Sequence, residues 1–199
     1  MAAGRNRAVF INCPLDAKYQ PLFEAIVFCV TACGFRARCT LEENDAGEVR
    51  IDTIYKLIGE CNHGIHDISR TGVKGEAYES PRFNMPFELG IFLGAKKFGR
   101  HTAKKRCLVM DRAPYLYKRF ISDIAGQDIK AHRNSPCAVI RQVRNWLQAA
   151  PGKAALPGGQ RIWQKYRQFR RELPVIADDA DLDSKQLTFI DYLQWSRRG

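Results

Sequence analysis

Glu88 lies in the segment Asn84-Met85-Pro86-Phe87-Glu88-Leu89-Gly90-Ile91-Phe92-Leu93-Gly94. Asn84 reads as a helix N-cap, and Pro86 is tolerated because first-turn amides have no intrahelical partner. Glu88 then falls in or just after the first turn. Helical side chains lean toward the N-terminus, so its carboxylate points out of the helix mouth, where the dipole favours the ionised form. The residues after Leu89 are apolar or glycine, so the helix is otherwise a buried one. A charged group at such a mouth is either catalytic or a structural partner for the dipole or an arginine.

The elements around it follow from periodicity. Ala8 to Ile11 is a short buried strand that ends in the polar loop Asn12-Cys13-Pro14-Leu15-Asp16. Tyr19 to Cys33 has helical spacing and stops at Gly34. Phe35 to Leu41 reads as a second strand, Arg50 to Cys61 as a second helix, and Gly64 to Ile68 as a third strand. Ser69 to Phe83 is a polar loop in which Gly72 to Ser80 could act as a lid, and the Glu88 helix runs to about Gly99. Arg106 to Met110 is a fourth strand, Tyr117 to Ala125 a short helix, Asp128 to Ala131 a weak fifth strand, and Pro136 to Ala149 a helix with Ser135 as a possible cap. This alternation predicts an α/β, flavodoxin-like three-layer sandwich with a five-stranded parallel sheet of order 2-1-3-4-5. Residues 1–150 form that domain. Pro151 to Gly159 is a linker, and residues 151–199 are a helical extension whose apolar residues Ile162, Trp163, Tyr166, Phe169, Leu173, Leu187, Phe189, Ile190, Leu193 and Trp195 should dock on the domain, with a partner chain as the alternative.

Ligands of such sheets bind beyond the carboxyl ends of the strands, where the strand order reverses. Between strands 1 and 3 this brings together Asn12 to Asp16, Asp67 to Arg70 and the mouth of the Glu88 helix. Asp67, Asp16 and His66 are candidates for acid or base-recognition roles, although His66 could instead be plain packing. Arg70, Arg50 and Asn84 are candidates for phosphate recognition, the last with the free amides of its helix. Arg112 falls outside the main crevice, and Ser69 could bond a sugar hydroxyl or start a turn. Each arginine could equally be a surface ion-pair partner.

Gly64-Ile65-His66-Asp67-Ile68-Ser69, followed by a variable loop and Asn84-x-Pro-x-Glu88-Leu-Gly, resembles the nucleoside 2-deoxyribosyltransferase-like proteins and the related TIR domains that cleave NAD. Phe10-Ile11-Asn12-Cys13-Pro14 with Asp16 is similar to the first strand and loop of that superfamily. The resemblance covers roughly residues 8–147. It implies an enzyme that breaks an N-glycosidic bond in NAD or a nucleoside phosphate, with Glu88 attacking or stabilising the anomeric carbon and Asp67 beside it. NAD would be a substrate, and no cofactor is implied. It also implies bacterial defence signalling and a homo-oligomer. The Trp-Cys pair and the Gly-Thr or Gly-Met pair that often precede the glutamate in those groups are absent here.

Composition bounds the alternatives. The chain has 199 residues and a net charge of +11, unevenly placed. Residues 1–80 hold 9 Lys/Arg against 11 Asp/Glu, and residues 81–199 hold 23 against 10. The clusters Lys96 to Arg106 and Arg161 to Arg171 attract anions, from nucleotides to nucleic acid. A non-catalytic nucleotide-binding sensor and a nucleic-acid-binding protein are therefore the rival readings. The basic clusters lack an aromatic base-stacking ladder. No apolar run reaches membrane-spanning length, and Met1 to Arg7 lacks the apolar stretch of a secretory signal. Seven scattered cysteines argue for reduced thiols in a cytoplasmic protein. Cys61-x-His63-x-x-His66 has no matching half elsewhere, so no metal site is expected.

Overall fold

In a computed structural model of the chain, residues 7–43, 45, 47–70, 83–99, 105–150 and 155–197 are described. Gly72 to Ser80, the candidate lid, lies outside them, as does part of the Lys96 to Arg106 cluster. Five parallel strands, β1 (Ala8–Asn12), β2 (Arg36–Arg38), β3 (His63–Asp67), β4 (Arg106–Asp111) and β5 (Lys130–Ala131), are ordered β2-β1-β3-β4-β5. Helices α1 (Gln20–Ala32), α2 (Arg50–Glu60), α3 (Asn84–Phe98) and α4 (Pro136–Gln148) cover the two faces, followed by α5 (Gly159–Asp178) and α6 (Phe189–Ser196). This is the flavodoxin-like sandwich that the alternation of strand and helix predicts.

Alternation along β1 shows how the layers divide. Val9 and Ile11 enter one core with α1, α4, α5 and α6, while Ala8 and Phe10 enter a second core with α2 and α3. Every residue of α1 from Leu22 to Val30 is buried, because the helix lies between the sheet and the C-terminal helices. Phe28 stacks on Phe169 at 5.3 Å, the Tyr166 hydroxyl donates to Pro21 O at 3.1 Å, and the Tyr192 hydroxyl donates to Glu24 O at 3.1 Å. Arg170 pairs with Glu24. A helix wrapped in this way is apolar on nearly all sides.

Local chemistry moves several element boundaries. Gly34 takes φ +71°, the left-handed turn that ends α1. The second strand stops at Arg38, because the Glu42 side chain returns to the Cys39 amide and closes a 3₁₀ turn over Thr40–Glu42. Asn84 is the first helical residue of α3 and not its cap; Phe83 holds the cap position and makes no side-chain cap bond. Tyr117 to Ala125 is not one helix but two 3₁₀ turns, Leu116–Arg119 and Ser122–Ile124, separated where Ile121 takes φ −141°. The fifth strand shrinks to two residues. Ser135 Oγ accepts from the Ala138 amide at 3.3 Å and caps α4. Among the described residues no helix is long and apolar enough to cross a membrane.

Candidate active site

The switch point between β1 and β3 is tied together by two polar clusters, one on each face of β3. Strand residues alternate, so His66 turns toward α3 and Asp67 toward α1 and α4. His66 is fully buried between Phe10 and Phe92, with ring centroids 5.8 and 4.8 Å away. Burial pushes its pKa down to about 3, so it stays neutral. Asn12 Nδ2 lies 3.0 Å from His66 Nδ1 and also donates to Met85 O at 3.0 Å. Asn12 therefore ties the end of β1 to the first turn of α3. Both side chains are buried, and the contacts they make position the end of β1 against α3.

On the other face, Asp67 is fully buried and surrounded by donors. The Ser69 amide and hydroxyl donate to Asp67 Oδ1 at 2.9 and 2.5 Å. His132 Nε2 stands 3.0 Å from Oδ2, close enough to pair although off the line of a good hydrogen bond. The Asn134 amide donates to His132 Nδ1 at 3.0 Å, so the proton of the neutral ring belongs on Nε2, facing Asp67. Burial alone would raise the Asp67 pKa, but His132, Ser69 and Tyr19 together hold it below the ordinary value. Asp67 Oδ1 is occupied by Ser69 and Oδ2 faces His132, an arrangement suited to holding the frame of the site, and Ser69 spends its hydroxyl proton on Asp67. Burial raises the pKa of nearby Asp111 to about 6, against the Arg112 amide bonded to it.

Glu88 is also buried, 3% exposed, yet makes no hydrogen bond or ion pair among the described residues. Burial raises its pKa to about 7, opposed by the charge of Arg50. The sequence expectation that the helix dipole keeps it ionised is thus overridden by desolvation. Cys13, at the end of β1, is close enough to be influenced by both acids; burial first, then Asp67, Cys39, Glu88 and Asp16, push its thiol pKa up.

The remaining candidates line the outer edge. Arg50 opens α2 and Asn84 opens α3, and both are exposed. Arg70 Nη2 donates to Asp16 Oδ1 at 3.2 Å, joining the loops after β1 and β3. Arg112 follows β4, away from that junction. His63 and His66 face opposite sides of β3, so the Cys61, His63 and His66 trio does not converge. Among the described residues no group of three or more His, Cys, Asp or Glu is arranged to hold a metal ion. Sequence reasoning missed Tyr19, Asp111 and His132. The signal for His132 and Asp111 was their position at strand C-termini, where such folds collect functional polar groups. Tyr19, at the start of a buried helix, gave none.

Fold and site together define a doubly wound α/β protein with a buried carboxylate at its topological switch point. No protein-family model, curated protein or solved structure matches the chain.

Proposed function

We propose that the protein cleaves an N-glycosidic bond in NAD or a nucleoside phosphate, with Glu88 as nucleophile or oxocarbenium stabiliser, as its resemblance to deoxyribosyltransferase-like and TIR-like proteins suggests. The supporting observation is a carboxylate that is 3% exposed, has a pKa near 7 and has no described partner, set beside the strand-order reversal. In the reaction the C–N bond breaks and its electron pair leaves on the base. The positive charge left on the sugar meets the Glu88 carboxylate, electrostatically or as an ester. Water or an acceptor hydroxyl then adds to that carbon, the bond to Glu88 breaks where an ester has formed, and the acceptor's proton passes to solvent. Arg50 and Asn84, exposed at the helix mouths, are suited to phosphate and sugar oxygens.

His66 and Asp67 are both sequestered, so neither stands ready to protonate a leaving base. That favours a substrate whose base already carries positive charge, as the nicotinamide of NAD does. The same sequestration also favours the rival in which the site senses a nucleotide without cleaving it. Incubation with NAD, NADP and nucleoside monophosphates, followed by mass spectrometry of free base, separates the two. Under the enzymatic reading the wild type releases base and Glu88→Gln is slowed at least roughly a thousandfold. Binding without base release selects the sensor. A role in bacterial defence and assembly into a homo-oligomer remain part of the proposal and rest on the resemblance.

A further inference from the structure

The parallel sheet ends abruptly on its β5 side. β4 has six residues and β5 two, and only Met110 and Asp111 have partners there. Main-chain direction alternates along β4. The Arg106 amide donates to Asn62 O and Met110 O accepts from Ile68, so the even-numbered residues bond toward β3. Asp111 O accepts from the His132 amide, so the odd-numbered residues bond toward β5. Below the short fifth strand this leaves the Cys107 N–H and C=O and the Val109 N–H aimed at an edge where no described strand lies opposite.

That edge is not flat surface. A groove of about 520 Å³ runs along Cys107, Leu108 and Val109, with one wall formed by Arg141, Gln142 and Trp146 of α4 and the other by the chain entering β5. Gln142 Nε2 donates to Ala131 O at 2.8 Å, which fixes the amide and leaves its buried Oε1 without a donor among the described residues. Of the two cations lining the groove, Lys130 pairs with Asp128 at 2.5 Å, whereas exposed Arg141 forms no ion pair among the described residues. Among the described residues the groove thus offers main-chain donors and an acceptor in strand spacing, an unfilled side-chain acceptor and one positive charge without an ion pair.

We propose that this groove binds a short, extended, acidic peptide segment, which adds to the sheet as a strand in line with β5. About three residues, roughly 10 Å of strand, span the uncovered part of β4. Main-chain bonds to Cys107 and Val109 supply the affinity, and an acidic side chain opposite Arg141 supplies the selectivity. The occupant is an extended peptide because the unmet groups are main-chain groups; a small carboxylate would satisfy Arg141 and leave them unpaired. The proposal is independent of the role given to Glu88, which lies beyond the other end of the strands.

The test uses the full chain, isotope-labelled, and a blocked tetrapeptide of alternating valine and glutamate. The free protein should show fast hydrogen exchange at the Cys107 and Val109 amides. The peptide should shift both resonances saturably and slow their exchange. The lysine counterpart should bind roughly tenfold more weakly, and Arg141→Glu, an exposed substitution, should reverse that order. Slow exchange at both amides without peptide would show the edge already covered and overturn the proposal. So would the absence of saturable shifts, an order unaffected by Arg141→Glu, or equal binding of a peptide N-methylated along its backbone, which would mark the groove as a carboxylate site only.

Discussion

Replacing Glu88 by Gln should stabilise the folded protein at alkaline pH relative to acidic pH. Glu88 titrates near 7 in the fold against an ordinary value of 4.5. Its folded state therefore binds a proton more tightly than its unfolded state, and ionisation favours unfolding. The penalty is small below pH 4.5, grows as the pH rises through that interval, and is complete above about 7. At about 1.4 kcal/mol for each tenfold in proton affinity, the full penalty is on the order of 3 kcal/mol. Roughly a quarter of it is already present at pH 5 and nearly all at pH 8. Glutamine removes the titration and adds its own fixed cost of burying an amide. That cost cancels when the effect of the substitution at pH 5 is subtracted from its effect at pH 8. The remaining difference is about 2 kcal/mol in favour of the variant at pH 8. With a urea dependence of roughly 2 kcal/mol per molar, this is a relative midpoint shift of about 1 M. Urea unfolding followed by circular dichroism at the two pH values reads it directly. If Glu88 were a structural anchor, the variant would lose stability at pH 8, and that result, or no pH-dependent difference, would refute the reasoning.

Other expectations follow from the same geometry. For the glycosidase reading, kcat/KM should rise as pH increases through about 7 and then level, because the attacking carboxylate must be ionised; a rate that falls over that range would remove Glu88 from the role. Asp67→Asn should cost about 3 kcal/mol at neutral pH by stripping a buried acceptor from Ser69 and His132, measured by urea unfolding. Its native pKa is depressed, so the contribution is present above the unfolded carboxyl value and is lost as pH falls through the lower folded value; the gap to wild type should narrow in acid. Gly64→Ala should destabilise by about 1–3 kcal/mol, because the added Cβ would sit 2.7 Å from the Phe92 ring and 2.8 Å from His66 Nε2, both tightly packed; a wild-type thermal midpoint would contradict that packing.

The fold was legible because strand and helix periods alternate and right-handed crossovers leave few ways to assemble them. The convergence of the loops after β1 and β3 with α3 was legible for the same reason: topology alone brings Asn12, Asp16, Arg70 and the Glu88 helix together. The facing of single side chains was not. Asp67 and His66 are neighbours in sequence and lie on opposite sides of the sheet. The side chains that help hold the Asp67 charge, Tyr19 and His132, come from the residue before α1 and the residue after β5, distant segments whose contact no local pattern records. The two-residue β5 shows a further limit, since Asp128 to Ala131 gives no sign that ladder pairing with β4 begins only at Lys130. The start of α3 was misread because Asn84 has the right chemistry for a cap, while Phe83 already takes helical angles.

Asp67 and Glu88 are both nearly inaccessible carboxylates close to the same strand ends, and the fold treats them in opposite ways. Asp67 receives the Ser69 amide and hydroxyl and the His132 ring, and its pKa falls despite complete burial. Among the described residues Glu88 has only the charge of Arg50 set against its burial, and its pKa rises. Burial is common to both, so the supply of donors decides the direction. Where a carboxylate is structural, this chain surrounds it with donors from several segments. At Glu88 it provides none among the described residues and leaves the charge to be met from outside. Paired carboxylates whose environments drive their proton affinities apart are a recurring feature of sites that manage charge on a substrate. That contrast is why the proposed chemistry falls on Glu88, with Asp67 holding the frame around it.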